Sequence, residues 1–320
     1  MNATHFRPLP FVNNPHLQTV LSLWMKRGRM KGPTRNHYVL LPDGDQLVMH
    51  DNTPHGWQVG HPVAVIVHGL TGCYNSGGVV LQAKRLYEHG VRTFRLDLRG
   101  AGAGLKLAKG SYHAGCSADV REALHVVAAL APHSPILLAG ISLGGNVSLK
   151  LAGELTEHPV PNLAKVAALN PPIDLFACTT LIAEPRNRIY ERHFVAELVK
   201  LAIRRAKRFH QPLPKFTHRM RLRTFDEIYT APRNGFASVD DYYSRSSSRG
   251  LIPRIPIPTL ILTARDDPFV AVGPIEEVAH CPNVEVFISD RGGHTGFLGR
   301  DGFGGIGWAE SRIAEWLISA

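Results

Sequence analysis

A chain of 320 residues can bury one sizeable core, and it suits a single large α/β domain with an insertion better than two independent domains. Hydrophobic residues make up 44% and charged residues 19%, ordinary for a soluble globular protein, and no stretch approaches the ~20 apolar residues of a membrane-spanning helix. The net charge of +10 admits nucleic acid, an anionic membrane surface or acidic substrates as partners, so the placement of that charge has to decide between them.

The N-terminus lacks a positively charged start followed by a long apolar run, so no secretory signal is expected. Residues 1–35 hold Asn14-Pro15-His16-Leu17-Gln18-Thr19, apolar residues from Leu17 to Trp24 that fit a short helix, and a basic patch from Lys26 to Arg35. This segment reads as an N-terminal brace packed across the sheet or over a site mouth. His37–Leu41 and Gln46–His50 flank an Asp43-Gly44 turn, the signature of a hairpin. Pro62–Val67 reads as a buried strand ending in His68-Gly69-Leu70-Thr71-Gly72.

A helix is expected near Val79–His89, then a strand over Arg92–Leu98 that runs into Arg99-Gly100-Ala101-Gly102-Ala103-Gly104. That glycine run is not a dinucleotide loop, because no Gly-x-Gly-x-x-Gly opens a helix there. Ala118–Leu130 reads as a helix and Pro135–Ala139 as a buried strand. Then comes Gly140-Ile141-Ser142-Leu143-Gly144-Gly145, followed by a helix from Asn146 to Ala152. A serine on a sharp strand-to-helix turn is held clear of its neighbours at a helix N-terminus. Gly140 and Gly144, two before and two after it, remove side chains that would clash with the adjoining backbone. The bland alternative is a glycine-rich turn with an incidental serine.

Leu163–Leu169 is another buried strand, closed by Asn170-Pro171-Pro172. From Ile173 to about Pro253 the strand–helix rhythm stops. Glu191–Arg208 has helical apolar spacing through Phe194, Leu198, Leu201 and Ala202, and its other face carries Lys200, Arg204, Arg205, Lys207 and Arg208. With Arg219, Arg221 and Arg223 these hold much of the positive excess. A solvated helix face is the default reading, and weak attraction to an anionic lipid surface or a carboxylate-bearing substrate is the functional one. No nucleic-acid recognition motif accompanies the charge. The rhythm resumes with strands Pro258–Thr263 and Val284–Ile288, and ends in an amphipathic helix over Ile306–Ile318 with Trp308, Ile313, Trp316 and Leu317 turned inward.

Cys73, Cys116, Cys178 and Cys281 form no Cys-x-x-Cys pair, which suits free thiols in a reducing cytoplasm. No metal or cofactor site is supported.

Three groups at strand ends follow in the order Ser142, Asp266/Asp267, His294. A serine hydroxyl is a weak nucleophile near neutral pH. It needs a base to take its proton, and the base needs an anion to orient it. His294 stands out among 17 histidines because it follows a Gly-Gly hinge just past the last strand. Asp267 is favoured over Asp266 because, counting from Ala264, it falls where a Gly-x-x-Asp turn places its acid. Asp266 then caps or braces the loop. Backbone N–H groups of Leu70 and Leu143 are the expected oxyanion donors, with glycines beside Leu70, Gly69 among them, letting backbone approach the reacting carbonyl. His68 reads as a support for that loop, not as the base.

With these residues assembled, the chain resembles the YheT-like branch of the α/β-hydrolases over nearly its whole length. The motifs are Asn14–Thr19, His68–Gly72, Tyr112-His113-Ala114-Gly115, Gly140–Asn146, Asp266-Asp267-Pro268-Phe269 and Gly292-Gly293-His294-Thr295-Gly296-Phe297. The break in rhythm reads as a helical cap over 173–253, inserted over the active site into a mostly parallel α/β-hydrolase core over 36–172 and 254–320. The resemblance implies a serine hydrolase of carboxylic esters, with relatives that act on medium-chain acyl esters or phospholipids or pass the acyl group to alcohols. Ala264 departs from the glycine common before the acid in other α/β-hydrolases. Two alternatives fit the same residues: an acyltransferase, and a non-catalytic binding module on the same fold.

Overall fold

The computed structural model describes residues 5–26, 28–30, 32–302 and 305–319. Residues 1–4 of the expected brace, and Arg27 and Lys31 of the basic patch, lie outside the described residues. Eight strands form one sheet: β1 Arg35–Leu40, β2 Gln46–Asn52, β3 Val63–Val67, β4 Arg92–Asp97, β5 Ile136–Ile141, β6 Leu163–Leu169, β7 Thr259–Ala264 and β8 Val284–Ser289. Their order is β1-β2-β4-β3-β5-β6-β7-β8. β2 runs antiparallel to β1 and β4, and every other pairing is parallel.

Helices cover both faces, so the central strands are buried on both sides and read as continuous apolar runs; every residue of β3 is fully buried. On one face pack α2 (Gly77–Glu88) and the C-terminal helix α8 (Trp308–Ile318), with Trp308, Ile313, Trp316 and Leu317 in that core. On the other lie α3 (Ser117–Leu130) and α4 (Leu143–Gly153). α4 begins at Leu143, three residues earlier than its sequence pattern suggests, so the serine turn itself starts the helix.

Ahead of the sheet, α1 (Pro15–Met25) is capped by Asn14, whose Oδ1 accepts from the backbone N–H of His16 and Leu17. Between β6 and β7 stand α5 (Leu175–Ile182), the long α6 (Arg188–Phe209) and α7 (Val239–Ser246), with short helical turns between them. α6 departs from the expected facing. Arg205 does not share the solvated face: it is buried, and its Nη1 donates to the Tyr229 hydroxyl. Glu191 is buried as well, paired with Arg221 and accepting from the Leu222 N–H. Arg223 pairs with Asp240. Part of the positive charge assigned to a free surface therefore serves packing and pairing.

Candidate active site

Three strand ends bring the site together. β5 leads straight into Ser142, whose φ of 53° is the strained left-handed turn ahead of α4. Two glycines make room for it. A Cβ on Gly140 would lie 2.3 Å from the Gly144 carbonyl oxygen, and one on Gly144 would lie 2.5 Å from the carbonyl oxygens of Val67 and His68. β7 ends beside Asp266-Asp267, and β8 leads into the loop carrying His294.

The three side chains form one chain of hydrogen bonds. Asp267 Oδ2 lies 2.8 Å from His294 Nδ1, and His294 Nε2 lies 2.8 Å from Ser142 Oγ. An ionised carboxylate can only accept, so Nδ1 carries the proton and Nε2 is left to accept the serine proton. Asp267 is fixed at both oxygens: Oδ1 accepts from the N–H groups of Phe269 and Val270, and Oδ2 also accepts from Asn170 Nδ2 at 2.6 Å. The neighbouring aspartate faces elsewhere. Asp266 Oδ1 accepts from the Gly293 N–H at 2.8 Å and so braces the histidine loop. Burial pushes its carboxyl above the usual range, only partly countered by that hydrogen bond.

The His68–Gly72 turn abuts the serine. A Cβ on Gly69 would come 3.0 Å from Ser142 Cβ, and Leu70 borders the space on both sides of the hydroxyl. Among the described residues, the N–H groups of Leu70 and Leu143 donate to no protein acceptor, which is costly unless something else takes them. His68 is fully buried. Its Nε2 accepts from the Leu98 N–H, so its proton sits on Nδ1 and is donated to the Gly69 carbonyl at 2.8 Å. Burial holds its pKa below the ordinary histidine value, so it stays neutral. The turn is tied from the other side by Tyr112, whose hydroxyl accepts from the Thr71 N–H at 2.6 Å and whose ring meets His68 edge-on.

Two spaces meet at Ser142. A cleft of about 410 Å³ opens between α1, the His68–Gly72 turn and the start of α6, with Leu23, Tyr190, His193 and Phe194 on its walls. A pocket of about 80 Å³ runs the other way, lined by Leu143, Leu175, Cys178, Ile182, Leu222 and Val270. Phe194 and Phe269 border both, and the Phe269 ring lies 4.1 Å from that of His294. Among the described residues no three His, Cys, Asp or Glu side chains converge as a metal site, and no helix is long and apolar enough to cross a membrane.

Several supporting residues escape a reading of the sequence. Asn170 matters because β6 lies next to β7, an adjacency no local pattern reveals. Thr19 accepts the His294 N–H at 2.9 Å. Its motif, Asn14–Thr19, is visible in the chain, but its hold on the histidine loop depends on a contact 275 residues away. Tyr112-His113-Ala114-Gly115 proves to be a junction. Beyond Tyr112 on the His68–Gly72 turn, the Ala114 N–H donates to the Tyr242 hydroxyl of α7, and its carbonyl accepts from Asn146 of α4.

The family model for the alpha/beta hydrolase fold matches residues 62–301. The chain is 32% identical to YheT of Escherichia coli K12, a protein that carries the name of an esterase, over 99% of this chain and 94% of that one. It is 27% identical to phospholipase ABHD3 of Bos taurus, over 82% of this chain and 66% of that one. Among solved structures, the esterase Pf2001 of Pyrococcus furiosus superposes with a TM-score of 0.57 at 16% identity, over 98% of this chain and 97% of that one; at that identity the likeness concerns the fold alone.

Proposed function

The chain belongs to the YheT-like branch of the α/β-hydrolase family, and from that premise we propose that it is a serine hydrolase cleaving carboxylic esters of short- to medium-chain acids. The observation that carries this reading is the unbroken chain from Asp267 through His294 to Ser142, 2.8 Å at each link.

In the proposed reaction Ser142 Oγ attacks the acyl carbonyl while His294 Nε2 takes its proton. Asp267 holds the ring and offsets its positive charge. The carbonyl oxygen becomes an oxyanion within reach of the Leu70 and Leu143 N–H groups, each such donor worth ~3 kcal/mol of barrier. His294 returns its proton to the leaving alcohol. It then activates a water against the acyl-enzyme, and the acid departs with Ser142 restored. The apolar pocket suits the acyl chain, and the wider cleft suits the alcohol. Residues 173–253 act as the cap, supplying Leu175, Cys178, Ile182 and Leu222 to the pocket wall. Residues 1–35 brace the histidine loop, and 36–172 with 254–320 form the catalytic core.

The test is turnover of nitrophenyl acetate, butyrate and octanoate, with Ser142→Ala as control. The variant is expected to lose roughly 10⁴-fold or more in kcat. Undiminished turnover would end the mechanism. Absence of labelling by a fluorophosphonate probe would point instead to a non-catalytic binding module. Ester synthesis on addition of ethanol would assign the acyl-enzyme to acyl transfer.

A further inference from the structure

α1 packs inside out. Its buried side holds Gln18, Thr19 and Ser22, continued by Lys26, all under 8% exposed. Its outer side presents Leu17, Val20, Leu23, Trp24 and Met25, with Leu23 and Trp24 more than 60% exposed. An amphipathic helix beside a core ordinarily does the reverse. The inversion is fixed by bonding and cannot relax by rolling the helix. Gln18 Oε1 accepts from the Leu298 N–H and its Nε2 donates to the Val12 carbonyl. Thr19 Oγ1 accepts from His294, and Lys26 Nζ donates to the Thr295 carbonyl and pairs with Glu310. The helix that steadies the histidine loop is thereby obliged to show its apolar side outward.

A second apolar point stands across the cleft. Ile189, in the first turn of α6, is 80% exposed between exposed Arg188 and near Arg192. The two helices meet where the His16 and Tyr190 rings stack, with His16 Nδ1 3.0 Å from the Tyr190 hydroxyl. Leu23 from α1, and Tyr190 and Phe194 from α6, line the cleft itself. Exposed apolar side chains on both helices thus stand beside the cleft, with exposed Arg188 and Arg192 flanking Ile189 on α6.

We propose that this rim docks on an anionic lipid surface, with Val20, Trp24 and Ile189 entering the headgroup–acyl boundary and the arginines meeting the phosphates, so that ester substrate passes from lipid into the cleft. An exposed apolar helix face beside arginines is the pattern of an interfacial helix. A protein partner or a second copy seated on this rim would cover the cleft beside Leu23, whereas a lipid layer supplies what enters. This docking site is separate from the basic outer face farther along α6. The inference rests on the ester-hydrolase reading for what the lipid delivers, but not for the docking itself.

The test is flotation of the full chain with vesicles of phosphatidylcholine, with and without phosphatidylglycerol, alongside hydrolysis of a nitrophenyl ester either in solution or dispersed in the vesicles. Wild type is expected to float with the anionic vesicles, and Val20→Ser/Trp24→Ser/Ile189→Ser to bind about ten-fold less, because three apolar side chains no longer enter the lipid. The variant should lose about as much on dispersed ester while keeping its rate on soluble nitrophenyl acetate. Flotation is read without turnover, so an inactive but floating protein would refute the esterase reading alone. Equal flotation of wild type and variant, equal binding to neutral and anionic vesicles, or a solution dimer that the substitutions dissociate would overturn the docking proposal.

Discussion

Replacing Asp267 by asparagine separates the two adjacent aspartates, and the structure dictates which way the new amide must face. The oxygen at the Oδ1 position accepts two backbone N–H groups, from Phe269 and Val270. Turning the amide nitrogen there would leave both donors without an acceptor, at ~1–3 kcal/mol each. The carbonyl oxygen therefore stays, and the NH₂ takes the place of Oδ2, facing His294 Nδ1 and the donating Nδ2 of Asn170. His294 can answer a donor only by accepting at Nδ1, so its proton moves to Nε2 and points at Ser142. His294 is then blocked at the nitrogen that the proposed reaction uses. A wrong tautomer of this kind costs roughly 10⁴ in kcat, about 5 kcal/mol of barrier. Asp266→Asn keeps an oxygen for the Gly293 N–H and should cost less than about ten-fold. The assay is kcat and KM on nitrophenyl butyrate for both variants, with thermal melts to confirm folding. An Asp266→Asn loss as large as that of Asp267→Asn would refute the assignment.

Tyr112→Phe removes the acceptor of the Thr71 N–H and loosens the turn bearing Leu70. It should lower kcat about ten-fold, near 1.4 kcal/mol, with KM changed by less than about two-fold. Asp226 is buried under the Tyr243 hydroxyl, and burial pushes its carboxyl up to about 6. Between about pH 4, where the unfolded chain releases this proton, and pH 6, the folded state still holds it. The contribution of Asp226 to stability therefore falls as pH rises through that window, by about 3 kcal/mol, and Asp226→Asn should gain on wild type in melting temperature across it. His113, which burial pushes down to about 4, acts in the opposite sense but equally in both proteins, so it cancels in the difference. Lys26→Met strands the buried Glu310 carboxylate, whose Oε1 lies 2.6 Å from Lys26 Nζ. Denaturant titration should show a loss of about 3–5 kcal/mol, largely restored in Lys26→Met/Glu310→Leu.

What the chain reveals on inspection is what local physics enforces. The parallel strands are legible because both their faces are covered and every residue must be apolar, as in Val63–Val67. The serine turn is legible because only glycine fits where Gly140 and Gly144 press on backbone. The choice between Asp266 and Asp267 is different in kind. The two are adjacent in the chain, and what divides them is a pair of backbone donors after the turn and an asparagine on the neighbouring strand. Arg205 escapes for a related reason: its partner, the Tyr229 hydroxyl, lies 24 residues away in a segment without regular rhythm.

α1 shows the same dependence on distant partners. Apolar spacing proposes the helix, and taken alone it would turn Leu17, Val20 and Trp24 inward. The structure turns them outward because the polar residues have more specific work. Gln18 and Thr19 satisfy buried backbone groups of the loop holding His294, groups that no apolar side chain could satisfy. An unmet N–H in that loop would cost ~1–3 kcal/mol and would release the His294 imidazole from its position. Exposed leucine or valine costs each helix face less per residue where another apolar phase can take it up. The orientation of α1 is thus decided by the histidine loop behind it, and the apolar rim in front of the cleft follows as its consequence.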